Sequence, residues 1–154
     1  KAFFSVVVEK FGRLDVFINN AGINFRKPFD TVTEEEWHRL VDIIFKSVFY
    51  GTAYAAEERR NTGGGVILKT SSFTSTIPTC GIALYSAVKA GVDQLTRVFA
   101  AELAADHIRV NSIQPGMVVT PLTRENCEKN NDKLVSAIAM KRLAYPKHLS
   151  LILI

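Results

Sequence analysis

The chain has 154 residues, of which 47% are hydrophobic and 22% charged, the balance of one folded domain. These proportions exclude a disordered tail, a collagen-like repeat and a low-complexity linker. Nineteen Lys and Arg against fifteen Asp and Glu give a net charge of +4, but the basic residues are scattered and cluster at most in pairs. A nucleic-acid-binding surface gathers its basic residues into a stripe, so we expect a solvated basic surface and no nucleic-acid partner.

The cysteines and the hydropathy pattern narrow the possible classes of protein further. Cys80 and Cys127 show no metal-ligand spacing, which predicts no metal site and reduced thiols in a cytoplasmic protein. No apolar run is long enough to span a membrane and no signal peptide opens the chain, so we expect no membrane partner. The chain begins at Lys1 without an initiator Met and stops inside the apolar segment 151–154, which we interpret as a fragment of a larger domain.

Local patterns predict helices that alternate with short apolar strands. Residues 2–11 form an amphipathic helix that Gly12 ends, and Thr33 with Glu36 makes the capping box of a second helix running to about Glu58. A third helix carries apolar residues three and four apart on one face, and a last helix opens at Pro146. The apolar face of the third helix consists of Leu84, Val88, Val92, Leu95, Phe99 and Leu103. The strand candidates are 14–18, 66–70 and 108–113.

This alternation indicates an α/β domain with a parallel sheet. Ligands of such sheets bind beyond the carboxyl ends of the strands. The polar stretches 19–22, 71–81 and 115–120 each follow a predicted strand, so we expect one site at that edge. Gly63–Gly65 instead precedes a strand, which makes it a plain turn rather than a phosphate-binding loop.

Three residues near this edge could carry acid/base chemistry. Tyr85 and Lys89 are four residues apart on the third predicted helix and share one face. A nearby ammonium favours the phenolate and lowers the phenol pKa, so such a pair can move a proton at neutral pH. Ser72, thirteen residues before Tyr85, could hold a substrate oxygen. Taken alone, the spacing favours plainer interpretations: an exposed lysine beside a half-buried tyrosine, and a turn serine.

Five segments occur in an order and at separations that are typical of one enzyme family. They are Asn19-Asn20-Ala21-Gly22, Ser72, Tyr85-Ser86-Ala87-Val88-Lys89, Arg109-Val110-Asn111 before Pro115-Gly116 with Thr120, and Lys141-Arg142-Leu143-Ala144-Tyr145-Pro146. Together they resemble the short-chain dehydrogenase/reductase family, with its NNAG turn, catalytic serine, YxxxK motif and PG loop. The resemblance covers nearly the whole chain.

The resemblance implies a Rossmann-like doubly wound parallel sheet in the strand order 3-2-1-4-5-6-7. Residues 1–154 would be a single partial domain that lacks the first three strands and the last strand. It also implies an oxidoreductase that transfers hydride between NAD or NADP and the carbonyl or alcohol carbon of a small-molecule substrate. The intact protein would be a homo-oligomer, a dimer or a tetramer. The residues that select NAD or NADP would precede Lys1.

The family's roles carry over to matching positions. Tyr85 would exchange a proton with the substrate oxygen, Lys89 would lower the Tyr85 pKa and hold the nicotinamide ribose hydroxyls, and Ser72 would orient the substrate oxygen. The cofactor contacts implied on the adenosine side are Asn20, Ala21 and Gly22. Those implied at the nicotinamide end are Pro115, Gly116, Val118 and Thr120.

Three departures from the family pattern set further expectations. Ile44, seven positions after Trp37, replaces an Asn that helps hold a water between the lysine and solvent. The glycine-rich turn that would hold the cofactor pyrophosphate would lie before Lys1. The closing strand is also missing, which would leave both outer strands unpaired. We therefore expect the 154-residue chain by itself to be inactive.

Two alternatives to an enzyme stay open. Ile44 is compatible with a non-catalytic member of the family that binds nucleotide or regulates another protein. The long helices starting at Thr33 and at about Ile82 resemble those of the family's four-helix dimer interface, which would suit an oligomerisation module. If the protein is an enzyme, the mainly polar loop 122–133 favours a polar carbonyl, sugar or acyl-carrier substrate over a steroid.

Overall fold

A computed structural model describes residues 2–150, so the apolar segment 151–154 lies outside the described residues. The chain divides into two compact units, one ending at Gln114 and the other starting at Pro115. Among the described helices, none has the length and apolar character needed to cross a membrane.

The first unit alternates helices with three short strands, as the sequence predicts. Its elements in chain order are α1 (Ala2–Phe11), β1 (Val16–Asn19), α2 (Glu34–Leu40), a π-helical segment (Val41–Lys46), α3 (Ser47–Arg60), β2 (Gly65–Thr70), α4 (Ala83–Glu102) and β3 (Ile108–Ile113). Single 3-10 turns occupy Phe29–Thr31, Phe73–Ser75 and Ala104–Asp106.

The three strands form one parallel sheet in the order β1-β2-β3. Ile18 pairs with Leu68, which in turn pairs with Asn111. This arrangement confirms the partial parallel sheet expected for strands four, five and six of the family. Because the strands are parallel, their carboxyl ends share one edge, and the segments after β1 and β2 both leave the sheet there.

The ends of the first two helices follow the predicted signals. The Thr33 hydroxyl accepts a hydrogen bond from the Glu36 amide at 3.2 Å, and the Glu36 carboxylate accepts one from the Thr33 amide at 2.9 Å. Helix α1 ends before Gly12, whose φ of +77° is open to glycine at little cost. The capping box and the glycine stop are therefore both confirmed.

The single helix predicted from Thr33 to about Glu58 is wrong in one respect, since π-helical turns interrupt it at Val41–Lys46. The buried residues of this stretch recur every four positions: Leu40, Ile44, Val48 and Thr52. An α-helix has about 3.6 residues per turn, so a strict spacing of four drifts by about 40° at each step. Wider turns reduce that drift and keep Leu40, Ile44 and Val48 in the same apolar cluster against α4.

Two apolar clusters hold the first unit together. One joins α1, α3, α4 and the sheet, and the other joins α2, the π-helical segment, the start of α3 and α4. The buried members of the first cluster are Phe4, Leu14, Ala55, Ala56, Ile67, Phe99, Leu103, Ile108 and Val110. Those of the second are Leu40, Ile44, Val48, Leu84, Val88 and Val92. Helix α4 belongs to both clusters, so its orientation is fixed by packing along its length.

Up to Ser150, where the described part of the second unit ends, this unit contains three short helices. They are α5 (Arg124–Lys129), α6 (Asn131–Ala137) and α7 (Pro146–Ser150). Val118 and Ala144 form an isolated parallel bridge within this unit. The helix predicted to open at Pro146 is thus confirmed over its described residues.

Candidate functional site

Ser72 lies in the turn directly after β2, at the carboxyl edge of the sheet. Its backbone is extended, and its hydroxyl oxygen accepts a hydrogen bond from the Thr74 amide at 3.2 Å. The two hydroxyl oxygens of Ser72 and Thr74 are 2.9 Å apart. Because the following 3-10 turn closes on the Ser72 carbonyl through the Ser75 amide at 3.0 Å, this buried hydroxyl has a fixed position.

Tyr85 and Lys89 project from the first turns of α4 towards the same place. The Lys89 ammonium lies 5.6 Å from the centroid of the Tyr85 ring. Ser72 forms a side-chain hydrogen bond with Tyr85. The three residues singled out from the sequence for acid/base chemistry are therefore together in the first unit.

The phenol of Tyr85 holds its proton more tightly than an ordinary tyrosine. Burial raises its pKa, and the hydrogen bond with Ser72 opposes this only in part. The direction is opposite to the lowering expected from Lys89 alone. Desolvation is the largest effect on the phenol, and the Lys89 ammonium, 5.6 Å from the ring centroid, donates to a backbone carbonyl instead. Tyr85 is a neutral phenol at physiological pH in this arrangement.

Lys89 is buried and bonded to the strand that precedes Ser72. Its ammonium donates to the carbonyl oxygen of Thr70 at 2.6 Å. Burial lowers the pKa of Lys89 to about 8, and the negative charge of Asp93 opposes that shift. The group is still mainly charged at neutral pH, and two of its N–H donors are left for other partners.

The turn after β1 lies beside the same lysine. Thr70 donates its hydroxyl hydrogen to Oδ1 of Asn20 at 2.9 Å, which joins this turn to the end of β2. A Cβ placed on Gly22 would lie 4.0 Å from the Lys89 ammonium and 4.0 Å from the Asn20 carbonyl oxygen, so Gly22 leaves open space there. Asn20, Ala21 and Gly22 are all exposed. The sequence analysis did not single out Thr70. Its hydroxyl bonds to Asn20 of the predicted cofactor-binding turn, and its carbonyl oxygen accepts from Lys89 of the predicted acid/base group.

Ile44 occupies the position where the family pattern has an asparagine. It is 0% exposed and packs in the second apolar cluster with Val48, Leu84 and Val88, and Tyr85 borders the same cluster. Its side chain therefore acts as a core contact and offers no hydrogen bond.

The four residues expected at the nicotinamide end belong to the second unit. Val118 is buried and bridges to Ala144, and the Thr120 hydroxyl lies 3.1 Å from that of Thr123. Pro115 is half-buried, and Gly116 is exposed with nothing within 4 Å of an added Cβ. These residues are described within their own unit, and their expected roles stay predictions.

A buried carboxylate near the site also escaped the sequence analysis. Asp93 lies one turn beyond Lys89 on α4 and bonds to Ser112 and Gln114 at the end of β3. One signal in the sequence could have found it: Asp93 is a charged residue on the apolar face of the predicted third helix, four positions after Lys89.

The chain matches known proteins along most of its length. The sequence profile described as short chain dehydrogenase matches residues 1–131. The 3-oxoacyl-acyl-carrier-protein reductase FabG of Thermotoga maritima is 34% identical over 148 residues, which are 96% of this chain and 60% of that protein. The cyclopentanol dehydrogenase of a Comamonas species is 36% identical over 140 residues, which are 90% of this chain and 56% of that protein.

Solved structures agree with the fold. A gluconate 5-dehydrogenase from Burkholderia cenocepacia, solved with NADP and tartrate, superimposes with a TM-score of 0.89 at 29% identity. The match covers 94% of this chain and 57% of that one. The chain thus spans about 60% of the length of these relatives. With a profile match over residues 1–131 and a parallel sheet shared with these structures, the chain belongs to the short-chain dehydrogenase family.

Proposed function

We propose that the protein carrying this chain is an NAD(P)(H)-dependent oxidoreductase that interconverts a carbonyl and an alcohol. The observation that supports it most is the meeting of a neutral phenol, an ammonium and a hydroxyl at the end of β2: Tyr85, Lys89 and Ser72. These are the groups needed to hold a carbonyl oxygen and give it a proton.

Tyr85 acts as the general acid during reduction. Its pKa lies above the ordinary value, so the phenol is protonated at neutral pH and can donate its hydrogen to the substrate oxygen. The positive charge of Lys89 then stabilises the phenoxide that forms. Ser72, whose hydroxyl is fixed by Thr74, donates a hydrogen bond to the same substrate oxygen and orients it. In oxidation the proton moves in the reverse direction.

The residues around Lys89 fit a nicotinamide nucleotide. The lysine keeps two N–H donors free beside the open face of Gly22, where ribose hydroxyls would find both donors and space. Asn20, Ala21 and Gly22 would line the adenosine side, and Pro115, Gly116, Val118 and Thr120 would contact the nicotinamide end. The cofactor, NAD or NADP, supplies or accepts the hydride. The Burkholderia relative was solved with NADP, which supports this class of cofactor.

A kinetic comparison tests this function. The protein carrying the chain is assayed by nicotinamide absorbance against a panel of polar ketones, sugars and 3-oxoacyl thioesters. Tyr85→Phe removes the proton donor, and we expect it to lower kcat by about a hundredfold or more. Tyr54→Phe is the matched control, because Tyr54 is also half-buried but stacks with Tyr50 on α3. No turnover on the whole panel, or equal turnover by Tyr85→Phe and the parent, contradicts the proposal.

A second function is favoured by two other observations. Ile44 is sealed in apolar contacts where the family pattern has a relay residue, and the exposed rings of Phe49 and Tyr50 on α3 would suit a partner helix. The corresponding function is a non-catalytic nucleotide-binding or oligomerisation module, present as a homodimer or homotetramer.

Ile44→Asn discriminates between the two functions. If the parent has near-zero turnover and Ile44→Asn gains much activity, the parent is a non-catalytic protein. If turnover changes little, the parent is an enzyme that moves its proton by another route. Because Asn at this fully buried position costs stability, the assay is run at a temperature at which circular dichroism shows both proteins folded. Light scattering of the 154-residue chain gives the assembly state, and titration with NADPH tests our expectation that this chain alone binds weakly and does not turn over.

A further inference from the structure

Asp93 is a buried charge for which the proposed reaction has no use. Its side chain is 6% exposed on α4, eight residues after Tyr85 and four after Lys89. Removing a carboxylate from water is unfavourable unless hydrogen bonds and nearby charges replace the lost solvation. The residues that bond to Asp93 therefore indicate which part of the structure its charge stabilises.

Both oxygens of the Asp93 carboxylate are bonded to the end of β3. Oδ1 accepts from the Ser112 hydroxyl at 2.9 Å, and Oδ2 accepts from the Gln114 amide at 2.7 Å. Burial by itself raises the pKa of Asp93, but the donors Ser112 and Gln114, with the nearby hydroxyls of Ser71 and Ser75, outweigh it and hold the pKa below its ordinary value. The carboxylate is therefore charged at neutral pH.

The same amide of Gln114 leads from Asp93 to the candidate site. It donates a second hydrogen bond to the Ser75 hydroxyl at 3.1 Å, and that hydroxyl donates to the Ser72 carbonyl at 2.8 Å. Three hydrogen bonds thus connect Asp93 of α4 with the backbone of Ser72. The path joins the helix that carries Tyr85 to the turn that carries Ser72.

A second connection, between Asp93 and Lys89, is electrostatic. Asp93 lies one helical turn after Lys89, and its negative charge raises the pKa of Lys89 against the effect of burial. Several other charged or titratable groups lie on α4 or on elements packed against it, and none of them is among the causes of the Lys89 shift. Examples are Tyr85, Lys69 of β2, Arg109 of β3, and the ion pair of Asp42 with Lys46.

We propose that Asp93 is a positioning residue, which fixes the Ser72 turn against the helix that carries Tyr85 and Lys89. It touches neither substrate nor cofactor and acts through Gln114 and Ser75 on one side and, one helical turn from Lys89, through its negative charge on the other. Only the expected effect of this role on turnover rests on the proposed function. The two physical effects are measurable without any catalysis.

Hydrogen exchange tests the first effect on the folded chain. The amides of Ser75, Thr76 and Ile77 bond to carbonyls within the Ser72 turn, so their exchange reports its local opening. In Asp93→Asn, which keeps the shape but removes the charge, we expect these amides to exchange about tenfold faster. Thr96→Val is the matched control, because its buried hydroxyl bonds only to the Val92 carbonyl of the same helix. Unchanged exchange in the turn, or equal acceleration throughout the chain, overturns the proposal.

An NMR titration of the lysine side chain tests the second effect. In Asp93→Asn the pKa of Lys89 falls further below about 8, whereas in Gln114→Met it keeps its value because the carboxylate is still charged. Gln114→Met also breaks the link to Ser75 and should accelerate exchange in the turn, so it tests the path even if Asp93→Asn fails to fold. A Lys89 pKa that is equal in both variants and the parent overturns the electrostatic part.

Turnover is measured last. If both physical effects occur and the parent is active, kcat should fall in Asp93→Asn with a smaller change in KM, since the reacting groups rather than the binding surface are displaced. An unchanged kcat overturns the positioning role. If the parent itself is inactive, the proposed function fails, whereas the exchange and titration results still decide whether Asp93 organises the site.

Discussion

Lys69 carries a stability cost that substitution should remove. It lies on β2 at 0% exposure, and its ammonium has no hydrogen-bond partner. The ammonium lies 4.4 Å from the centroid of the Phe99 ring. Burial lowers its pKa from 10.5 to about 8. At about 1.4 kcal/mol per tenfold change in proton affinity, this shift corresponds to about 3 kcal/mol of destabilisation at neutral pH. The contact with Phe99 offsets little of this cost, since it is already part of the environment that sets the pKa.

Lys69→Met keeps the length of the side chain and removes the charge. We expect the free energy of unfolding at neutral pH to rise by about 2 to 3 kcal/mol, because a methionine fills the same space without a desolvated ammonium. Urea denaturation followed by circular dichroism measures this change. Lys46→Met is the matched control, since Lys46 is exposed and pairs only with Asp42, and its effect should stay within about 0.5 kcal/mol.

The pH dependence of the difference makes the test specific. The folded pKa of Lys69 is the lower one, so the full cost is present below about 8, where both states are protonated. Between about 8 and 10.5 the folded state releases its proton first, and the parent gains stability relative to Lys69→Met. Lys89 titrates in the same range but is present in both proteins and cancels. A destabilised methionine variant, or a difference that stays constant up to pH 10.5, refutes the reasoning.

Three further outcomes follow from single contacts. Thr33→Ala removes the capping box and should lower the free energy of unfolding by about 1 kcal/mol in urea denaturation; no change would contradict the capping role. Gly51→Ala places a Cβ 2.7 Å from Oδ1 of Asn19 and should cost about 1 to 3 kcal/mol, whereas Gly116→Ala, with nothing within 4 Å, should stay within about 0.5 kcal/mol. Equal melting temperatures for the two alanine variants would count against the close approach. Carbonyl reduction should slow as pH rises above about 8, because Lys89 then loses the charge that stabilises the Tyr85 phenoxide, and a flat pH–rate profile would contradict this role.

Much of the fold could be predicted because its signals are local. The Thr33–Glu36 pair fixes the start of α2, and Gly12 ends α1 at the predicted residue. Strand β1 begins two residues later than predicted, at Val16. Leu14 is apolar and buried, yet its carbonyl oxygen accepts from the Arg59 guanidinium rather than from a neighbouring strand. Hydrophobicity alone does not show where such a backbone bond goes.

The site was predicted less completely because several of its contacts are long-range. The YxxxK spacing and the position of Ser72 suffice to bring Tyr85 and Lys89 to the serine, once a parallel sheet is assumed. The network of Asp93 depends on residues from a different strand, and no periodicity in the sequence marks it. Lys69 likewise falls within a predicted strand, where only the packed structure shows that its ammonium has no partner.

The π-helical segment has a consequence for how insertions and deletions are tolerated. Because a π-helical turn holds about one residue more than an α-helical turn, loss of one residue from Val41–Lys46 would let a regular α-helix form with little rotation of the residues after it. Arg59, at the far end of α3, would then keep its bond to the Leu14 carbonyl, and Ala55 and Ala56 would stay in the first apolar cluster. The same loss from the regular turns at the start of α3 would rotate the rest of that helix by about 100° and direct these side chains elsewhere. Two equally short gaps in an alignment would thus have very different structural meanings in this chain.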